Sequence, residues 1–174
     1  MRRRFTDWGA AEVARLTVIE PGMLTTVQDG GRFGHAAMGV PESGAADALA
    51  LRIGNRMVGN AAGAGALEMT LMGGTFAFER DAVVSLAGGH TRAVLESGSG
   101  VRPVGLGAMR VGADERLRVG PIVRGVRTYL CVRGGIAVPA ALGSCSTCLA
   151  AAFGGLDGRA LRKGDVLLIG EAAA

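Results

Sequence analysis

Lysine and aromatic side chains are scarce in this chain of 174 residues. Lys163 is the only lysine, so the formal charge of +4 comes almost entirely from arginines that are scattered along the chain. The aromatic residues (one Trp, one Tyr and five Phe) offer few rings on which bases can stack. Because nucleic-acid-binding proteins usually cluster basic residues on one surface, the composition argues against a nucleic-acid partner.

Long apolar runs are also missing. The MRRR start resembles the basic end of a targeting peptide, but FTDWGAAEVARL contains no continuous apolar stretch, and no later run is long enough to span a membrane. We therefore expect residues 1–14 to be an N-terminal extension, and we expect a cytoplasmic protein without a membrane partner.

Cysteine is limited to Cys131, Cys145 and Cys148, an odd number that argues against a disulfide framework. Cys145 and Cys148 form a CSTC pair. A structural zinc site needs four ligands, however, and His35 and His90 show no paired spacing. We expect no metal, and we prefer small buried thiols in a loop over a metal or redox function.

Glycine and apolar residues are plentiful. Thirty glycines and five prolines predict frequent turns, and 49% hydrophobic residues are enough to build a core. The chain fits one domain, with two small lobes as the alternative. We predict a mainly β protein with about nine or ten short strands, arranged as a barrel or a sandwich plugged by one helix.

Strands are predicted where β-forming residues alternate with polar ones. RLTVIE and MLTTV flank a Pro21-Gly22 turn and indicate a hairpin or a bent edge. ALEMTLMG, TFAFE, AVVSLAG and TRAVLE follow as antiparallel strands, separated by GG, RD and GGH. Glu68 in the first of these faces either a cleft or, more commonly, solvent. Residues 114–118 are predicted to form a solvated edge of mixed charge.

The only convincing helix follows Pro41. Ser43 is predicted to cap it, and Asp47 lies in the early turns, where the helix dipole favours negative charge. Gly59 and Asn60 can end it. An apolar stripe at helical spacing is predicted to be core, and its members are Ala46, Leu49, Ala50, Ile53 and Met57.

A polar, glycine-rich loop joins the second strand to this helix and carries Gln28, Asp29, Arg32 and His35. It contains neither GxxxxGK[ST] nor GxGxxG between a strand and a helix, so it is not a phosphate-binding loop of known type. One interpretation is a surface that holds an anion or a carbonyl, with Arg32 as donor. The other, which spacing alone favours, is an ordered loop whose Gln28 and Asp29 satisfy local backbone amides.

Several motifs occur in a characteristic order. They are QDGGR at 28–32, GVPESGAAD at 39–47, NRMVGN at 55–60, LEMT at 67–70, YLCVRGGI at 129–136 and LGSCST at 142–147. Together they resemble the biotin-dependent carboxyltransferase family, which includes allophanate hydrolase subunit 2, the KipA-type kinase-inhibitor antagonist and the C subunit of 5-oxoprolinase.

The resemblance implies a cyclophilin-like β-barrel with one principal α-helix, and pairing with a related subunit of the allophanate hydrolase subunit 1 or KipI type. Urea-carboxylase-like members move a carboxyl group from carboxybiotin to an amide-like substrate, and 5-oxoprolinase-like members open a lactam in an ATP-dependent complex. Both reactions need a polarised carbonyl, which suits fixed donors such as an arginine. Because the chain has no AMKM-like biotinylation site and no ATP-binding loop, both cofactors would belong to partner subunits.

The chain departs from the family in length and in one loop. The family subunit has a second, similar half, so residues 15–174 are expected to form a single but incomplete carboxyltransferase-type domain with exposed apolar surface and self-association. Cys145 stands where the family has arginine in a GSRST motif. This exchange removes a fixed positive charge, and it explains the CSTC pair without a redox function.

The candidate substrate-binding or interface residues are Gln28, Asp29, Arg32, Ser43, Asp47 and Arg133. Arg32 would be the anion or carbonyl donor with Asp29 as its orienting partner, and Arg133 would serve a neighbouring loop. Structural roles for Asp47, Ser43 and Arg133, as dipole residue, cap and ion-pair member, are at least as well supported, and no catalytic residue is assigned. We expect a subunit or half-subunit of a 5-oxoprolinase- or urea-amidolyase-type complex, and the alternative is a non-catalytic KipA-like regulatory module or a truncated relict.

Overall fold

The computed structural model describes residues 14–172. Within them lie ten β-strands, one α-helix and one 3₁₀ turn. In chain order these are β1 (Arg15–Glu20), β2 (Leu24–Gln28), the 3₁₀ turn (Ala36–Met38), α1 (Ala48–Met57), β3 (Ala66–Thr70), β4 (Thr75–Phe78), β5 (Ala82–Ser97), β6 (Gly100–Val104), β7 (Gly107–Val111), β8 (Arg116–Val132), β9 (Ile136–Ala137) and β10 (Val166–Ile169). The prediction of a mainly β protein with one principal helix is confirmed.

One antiparallel sheet contains all ten strands and curls into a nearly closed barrel. Its main path runs β2-β3-β8-β4-β1-β10-β9, while β5 joins through β8 and pairs with β6 and β7. The 17 residues of β8 pair with β3, β4 and β5, which makes this strand the centre of the sheet. The predicted barrel architecture is confirmed.

Three details of the predicted strands are wrong. GGH at 88–90 does not separate two strands, because β5 continues through it with bulges, and Gly88 at φ +100° supplies the backbone conformation for one of them. β1 and β2 do not form a hairpin, since β1 pairs with β4 and β10 whereas β2 pairs with β3. The segment 114–118 is not an edge: its part in β8 lies between β4 and β5, and Leu117 is fully buried, although Asp114, Arg116 and Arg118 are exposed.

Alternation along the strands separates two apolar clusters. The larger one fills the barrel and includes Leu67, Met69 and Leu130. The smaller one contains Tyr129 and Cys131 from the opposite face, packed against Ala50, Leu51 and Val58 of the α1 region. Successive side chains of a strand point to opposite faces, so adjacent residues of β8 serve different clusters.

The helix α1 packs on β5 and β8 outside the larger cluster, so it covers the barrel rather than plugging it. Its buried residues are Ala50, Leu51, Gly54 and Asn55. The predicted core stripe is wrong apart from Ala50, because Leu49, Ile53 and Met57 are exposed. A Cβ atom on Gly54 would lie 2.8 Å from Cys131 Sγ, so the face with small residues is the one that can approach β8 closely.

The predicted N-terminal extension, residues 1–14, lies outside the described residues except for Ala14. The carbonyl oxygen of Ala14 accepts a hydrogen bond from the N–H of Ile169 at 2.8 Å, next to β10. Between residues 14 and 172, the structure has no helix with the length and apolar character needed to cross a membrane.

Candidate functional site

Asp29, directly after β2, contacts the loop that follows β9. Its carboxylate accepts hydrogen bonds from Ser144 Oγ at 2.6 Å, from the N–H of Cys145 at 2.7 Å, from the N–H of Gly31 at 2.8 Å and from Ser146 Oγ. Four donors use most of the acceptor capacity of one carboxylate. Asp29 therefore anchors this loop to the end of β2.

The protonation state of Asp29 follows from the same contacts. Burial raises the pKa of its carboxyl group, but the hydrogen bonds from the two serines and two backbone amides outweigh burial, so the net pKa lies below its usual value. Each of these bonds favours the charged form. Asp29 is therefore ionised at neutral pH, and taking up a proton would cost it hydrogen bonds.

Arg32 is only 1% exposed and lies beneath the same loop. Its Nε donates to the carbonyl oxygen of Ala141 at 3.3 Å, and Nη2 donates to that of Ser146. The guanidinium also stacks on Phe153, 4.5 Å from the ring centroid. Nη1 is buried and has no hydrogen-bond partner among residues 14–172. The predicted orienting role of Asp29 is indirect, because both side chains bind Ser146 and not each other.

Gln28 is the third buried polar side chain at this point. Its Nε2 donates to Thr26 Oγ1 at 3.0 Å and to the carbonyl oxygen of Thr147 at 3.2 Å. Its Oε1 is buried without a partner in the described part of the chain. Gln28 and Arg32 thus each keep one buried polar atom that a ligand or water molecule would satisfy.

A surface cavity of about 470 Å³ opens on the far side of this loop; we call it the loop cavity. Its lining runs along 139–141 and 152–158, and it includes two residues that Arg32 contacts, Ala141 and Phe153. Gly154 is also in the wall, and a Cβ atom there would lie 2.7 Å from Arg32 Nη2. Arg32 therefore sits directly behind the cavity wall and supports it.

Ser43 and Asp47 lie on the segment before α1, which runs beside the polar loop. The N–H of Arg32 donates to the carbonyl oxygen of Glu42 at 2.8 Å. The prediction that Ser43 caps the helix is wrong: Asp47 is the N-cap and accepts from the N–H of Ala50 at 2.9 Å. Ser43 has a φ of +53°, a left-handed conformation that excludes it from the start of a right-handed helix.

Arg133 is not brought together with the other candidates. It is exposed just beyond β8 and lines a separate depression of about 230 Å³, together with Arg80 and Asp81. The structure therefore groups Gln28, Asp29 and Arg32, places Ser43 beside them, and leaves Arg133 elsewhere.

The sequence prediction missed a buried network at the start of α1. Glu68 Oε2 accepts from Tyr129 Oη at 2.6 Å and from the N–H of Ala46 at 2.8 Å, and Oε1 accepts from Arg127 Nε at 3.3 Å. Tyr129 Oη in turn accepts from the N–H of Asp47 at 2.8 Å. The expectation that Glu68 faces solvent is wrong, because the segment before α1 covers it. The sequence signal that could have shown this burial was the alternation along β3, which places Glu68 on the other face of the strand from Leu67 and Met69.

The electrostatics of the network follow from its burial. Burial, followed by the hydrogen bond to Glu68, raises the pKa of Tyr129 far above its usual value, so the phenol keeps its proton. A protonated hydroxyl group can donate to Glu68 while it accepts from Asp47. Tyr129 and Glu68 therefore fix the N-terminal end of α1 to the barrel.

The three cysteines are free thiols. Burial raises the pKa of Cys131 to about 12, and burial followed by the charge of Asp29 raises that of Cys145 to about 12. Thiolate is the form that attacks disulfides and binds metals, so these two thiols are poor nucleophiles at neutral pH. Within residues 14–172 no group of three or more His, Cys, Asp or Glu side chains is arranged to hold a metal ion.

The start of α1 and Lys163 are both engaged by acidic side chains. The carboxylate of Asp47 occupies the free amide at the start of α1, which is where a phosphate would bind a helix N-terminus. Lys163 is the only lysine, lies in an exposed turn, and pairs with Glu20 at 3.0 Å.

The fold and the motifs together define a carboxyltransferase-type domain. The family model for the carboxyltransferase domain, subdomain A and B, matches residues 38–174, and the chain belongs to this family. The resemblance noted from the motifs is thereby confirmed.

Individual relatives support the same assignment. The chain is 46% identical over 157 residues to the 5-oxoprolinase C subunit of Escherichia coli, covering 90% of this chain and 49% of that protein. It is 40% identical over 156 residues to urea amidolyase of Lachancea kluyveri, covering 88% of this chain and 8% of that protein. The crystal structure of Kluyveromyces lactis urea carboxylase superposes with a TM-score of 0.85 at 38% identity, over 94% of this chain and 14% of that one. The chain therefore spans about half the length of the bacterial relative and a small part of the fungal ones.

Proposed function

We propose that this chain is part of a 5-oxoprolinase-type complex, in which it contributes to ATP-dependent opening of a lactam. The observation that carries the proposal is the 46% identity with the C subunit of 5-oxoprolinase, which extends over 157 residues. The urea amidolyase relative is less similar, at 40% identity. In the proposed reaction, water adds to the lactam carbonyl and the C–N bond breaks to release an amino acid, while ATP would be hydrolysed to ADP and phosphate on a partner subunit.

The proposed contribution of the residues is positioning. Asp29 and Arg32 hold the loop that carries Ser144 and Ser146, and Arg32 supports the wall of the loop cavity. Backbone amides and a guanidinium are suitable donors for a carbonyl oxygen that gains negative charge. Gln28 supports the same loop through Thr147. Ser43, Asp47 and Arg133 are proposed as interface positions because all three are exposed.

We propose that residues 15–174 act as one carboxyltransferase-type domain beside a second, related subunit, in the cytoplasm, and that ATP, or biotin where it is used, is bound by partner subunits. The E. coli relative is itself one subunit of 5-oxoprolinase, which supports a multi-component assembly.

A non-catalytic binding module is the second candidate. It is favoured by one observation: the Asp29 carboxylate already accepts hydrogen bonds from Gly31, Ser144, Cys145 and Ser146, so little of its acceptor capacity is left for a substrate. Under this hypothesis the domain would regulate or bind a partner without turning over a substrate.

The test is a reconstitution. The chain is co-expressed with the products of the adjoining reading frames, and glutamate release from 5-oxoproline is measured with and without ATP, beside bicarbonate-dependent turnover of urea. We expect ATP-dependent glutamate release that is lost when this chain is omitted. Unchanged release without the chain would contradict an enzymatic role, and turnover of urea alone would move the assignment to the urea-amidolyase type.

A further inference from the structure

One helix face presents large apolar side chains to solvent. Leu49, Ile53 and Met57 follow one another at intervals of four residues along α1 and are 66%, 44% and 49% exposed. Arg52 and Arg56 lie next to them, and together these five residues line a shallow groove of about 570 Å³. We call this surface the α1 face.

The exposure of the α1 face is not a by-product of poor packing. The opposite side of the helix is already filled by Ala50, Leu51 and Gly54, which meet the barrel closely. A helix that packs on a domain with one side normally carries polar residues on the other. A contiguous apolar stripe on the solvent side instead marks a surface that another molecule covers.

The helix is also held rigidly. Asp47 caps its first turn, and Tyr129 and Glu68 bind the backbone just before it. A preformed surface loses less conformational freedom on binding than a flexible one. The α1 face therefore suits a partner that docks on a fixed template.

The charge of the face indicates the chemistry of its partner. Arg52 and Arg56 lie one helical turn apart along one border of the stripe. Neither guanidinium makes a hydrogen bond or an ion pair with residues 14–172, and α1 itself contains no acidic residue. Covering the apolar stripe brings a partner close to both arginines, and carboxylates on that partner would pair with them.

A second copy of the chain is a poor occupant. It would bring a further Arg52 and Arg56 and no acidic residue within its own α1, whose cap Asp47 already accepts from the N–H of Ala50, so positive charges would meet across a symmetric contact. We infer that the α1 face docks the related carboxyltransferase-type partner subunit through an apolar segment bordered by Asp or Glu. This identification of the occupant rests on the proposed function.

Binding of the purified partner subunit by calorimetry tests the inference. Leu49→Ser and Ile53→Ser should each raise Kd at least about tenfold. Arg52→Glu with Arg56→Glu should also raise Kd by at least about tenfold, and the milder pair Arg52→Gln with Arg56→Gln should flatten the salt dependence of the wild type. Matched controls are Val101→Ser on β6 and Arg92→Glu on β5, both at exposed positions away from α1. These should leave Kd within about twofold. All the changed residues are exposed, and thermal unfolding verifies that each variant is folded.

The outcomes separate the two proposals. If the wild type binds the partner and the α1 variants bind equally well, the docking inference fails while the proposed function stands. If the wild type does not bind the partner at all, the proposed partner and the docking inference both fail. If the isolated chain forms a dimer that Ile53→Ser dissociates, the occupant is a second copy and the inference is overturned.

Discussion

At the scale of single residues, Ser146 makes hydrogen bonds with two side chains of opposite charge, Asp29 and Arg32. Its hydroxyl group donates to Asp29, and its carbonyl oxygen accepts from Arg32. The two charged side chains are buried, so neither can turn to water when a contact is lost. The conformation of the loop after β9 therefore depends on the protonation of Asp29 and on the shape of Arg32.

The lowered pKa of Asp29 predicts a loss of stability in acid. A carboxyl group whose folded pKa lies below its unfolded pKa stabilises the fold above the unfolded value, about 3.9, and this stabilisation is lost as pH falls through the folded pKa. Asp29→Asn should lower the free energy of unfolding by about 2 kcal/mol at pH 7. Denaturant titrations from about pH 3 to pH 7 should show the difference from wild type constant above about pH 5 and shrinking below about pH 4. A difference that grows in acid would contradict the anchoring role.

Arg32 should matter more for stability than an exposed arginine of the sheet. Arg118 lies on β8 and pairs with Glu96 at 2.6 Å, but its side chain is 52% exposed. We expect Arg118→Ala to change the free energy of unfolding by less than about 1 kcal/mol. Arg32→Met removes the donors to the carbonyl oxygens of Ala141 and Ser146 and should cost about 2 to 4 kcal/mol.

A second substitution, Arg32→Lys, separates the effect of the positive charge of Arg32 from the effect of its planar, two-pronged guanidinium group. Arg32→Lys keeps a positive charge but not the planar fork that reaches both Ala141 and Ser146. Activity or partner binding of the reconstituted complex should therefore fall with Arg32→Lys and stay near wild type with Arg118→Ala. Equal, small effects of Arg32→Met and Arg118→Ala would contradict the proposed role of Arg32.

At the scale of elements, the burial of α1 is decided by small residues. Ala50 and Gly54 face β5 and β8, and the place of a Cβ on Gly54 is taken by Cys131 Sγ at 2.8 Å and Ala87 Cβ at 3.1 Å. Hydrophobicity alone favours the face with Leu49 and Ile53, which is larger and more apolar. Close approach to the barrel selects the other face, because Gly54 lets the helix backbone come near β8 where a side chain would have no room.

This packing predicts that Gly54→Ala destabilises the protein. In an exposed helix interior the same change stabilises by about 1 kcal/mol, because alanine is the better helix former. Here the added methyl group would lie 2.8 Å from Cys131 Sγ and 3.1 Å from Ala87 Cβ, so we expect the sign to reverse and the free energy of unfolding to fall by about 1 to 3 kcal/mol. Arg52→Ala, on the exposed side of the same helix, serves as control and should stay within about 0.5 kcal/mol. A stabilised Gly54→Ala variant would show that the helix packs less closely.

How well these elements can be predicted from the sequence depends on how far apart along the chain the interacting residues lie. β1 is predicted with its observed bounds because alternation over six residues is a local signal. The continuity of β5 through Gly88 is not predicted from the sequence, since it depends on pairing with β8 far along the chain. In the same way Gln28, Asp29 and Arg32 are recognisable from their motif, whereas the burial of Glu68 depends on Tyr129, 61 residues later.

At the scale of the whole molecule, a second apolar surface lies where β8 bends. Leu71, Met72, Val123 and Val126 are all at least 40% exposed, and the backbone joins them, since the N–H of Leu71 donates to the carbonyl oxygen of Val126 at 3.0 Å. We call these four residues the bend patch. Unlike the α1 face, it lies on the sheet, where one copy of the chain can meet another without bringing Arg52 and Arg56 together.

The isolated chain is therefore expected to self-associate through the bend patch and not through α1. Apolar patches of this kind favour association as concentration rises. In sedimentation velocity from about 5 to 200 µM, the weight-average sedimentation coefficient should increase for the wild type. Val123→Ser with Val126→Ser should reduce this increase, because both substitutions remove exposed apolar area. Ile53→Ser should leave the increase unchanged, since the α1 face is proposed to bind the partner subunit and not a second copy of the chain. A monomer at every concentration would contradict the self-association, and a loss of association in Ile53→Ser alone would place the contact on α1 and remove the distinction between the two surfaces.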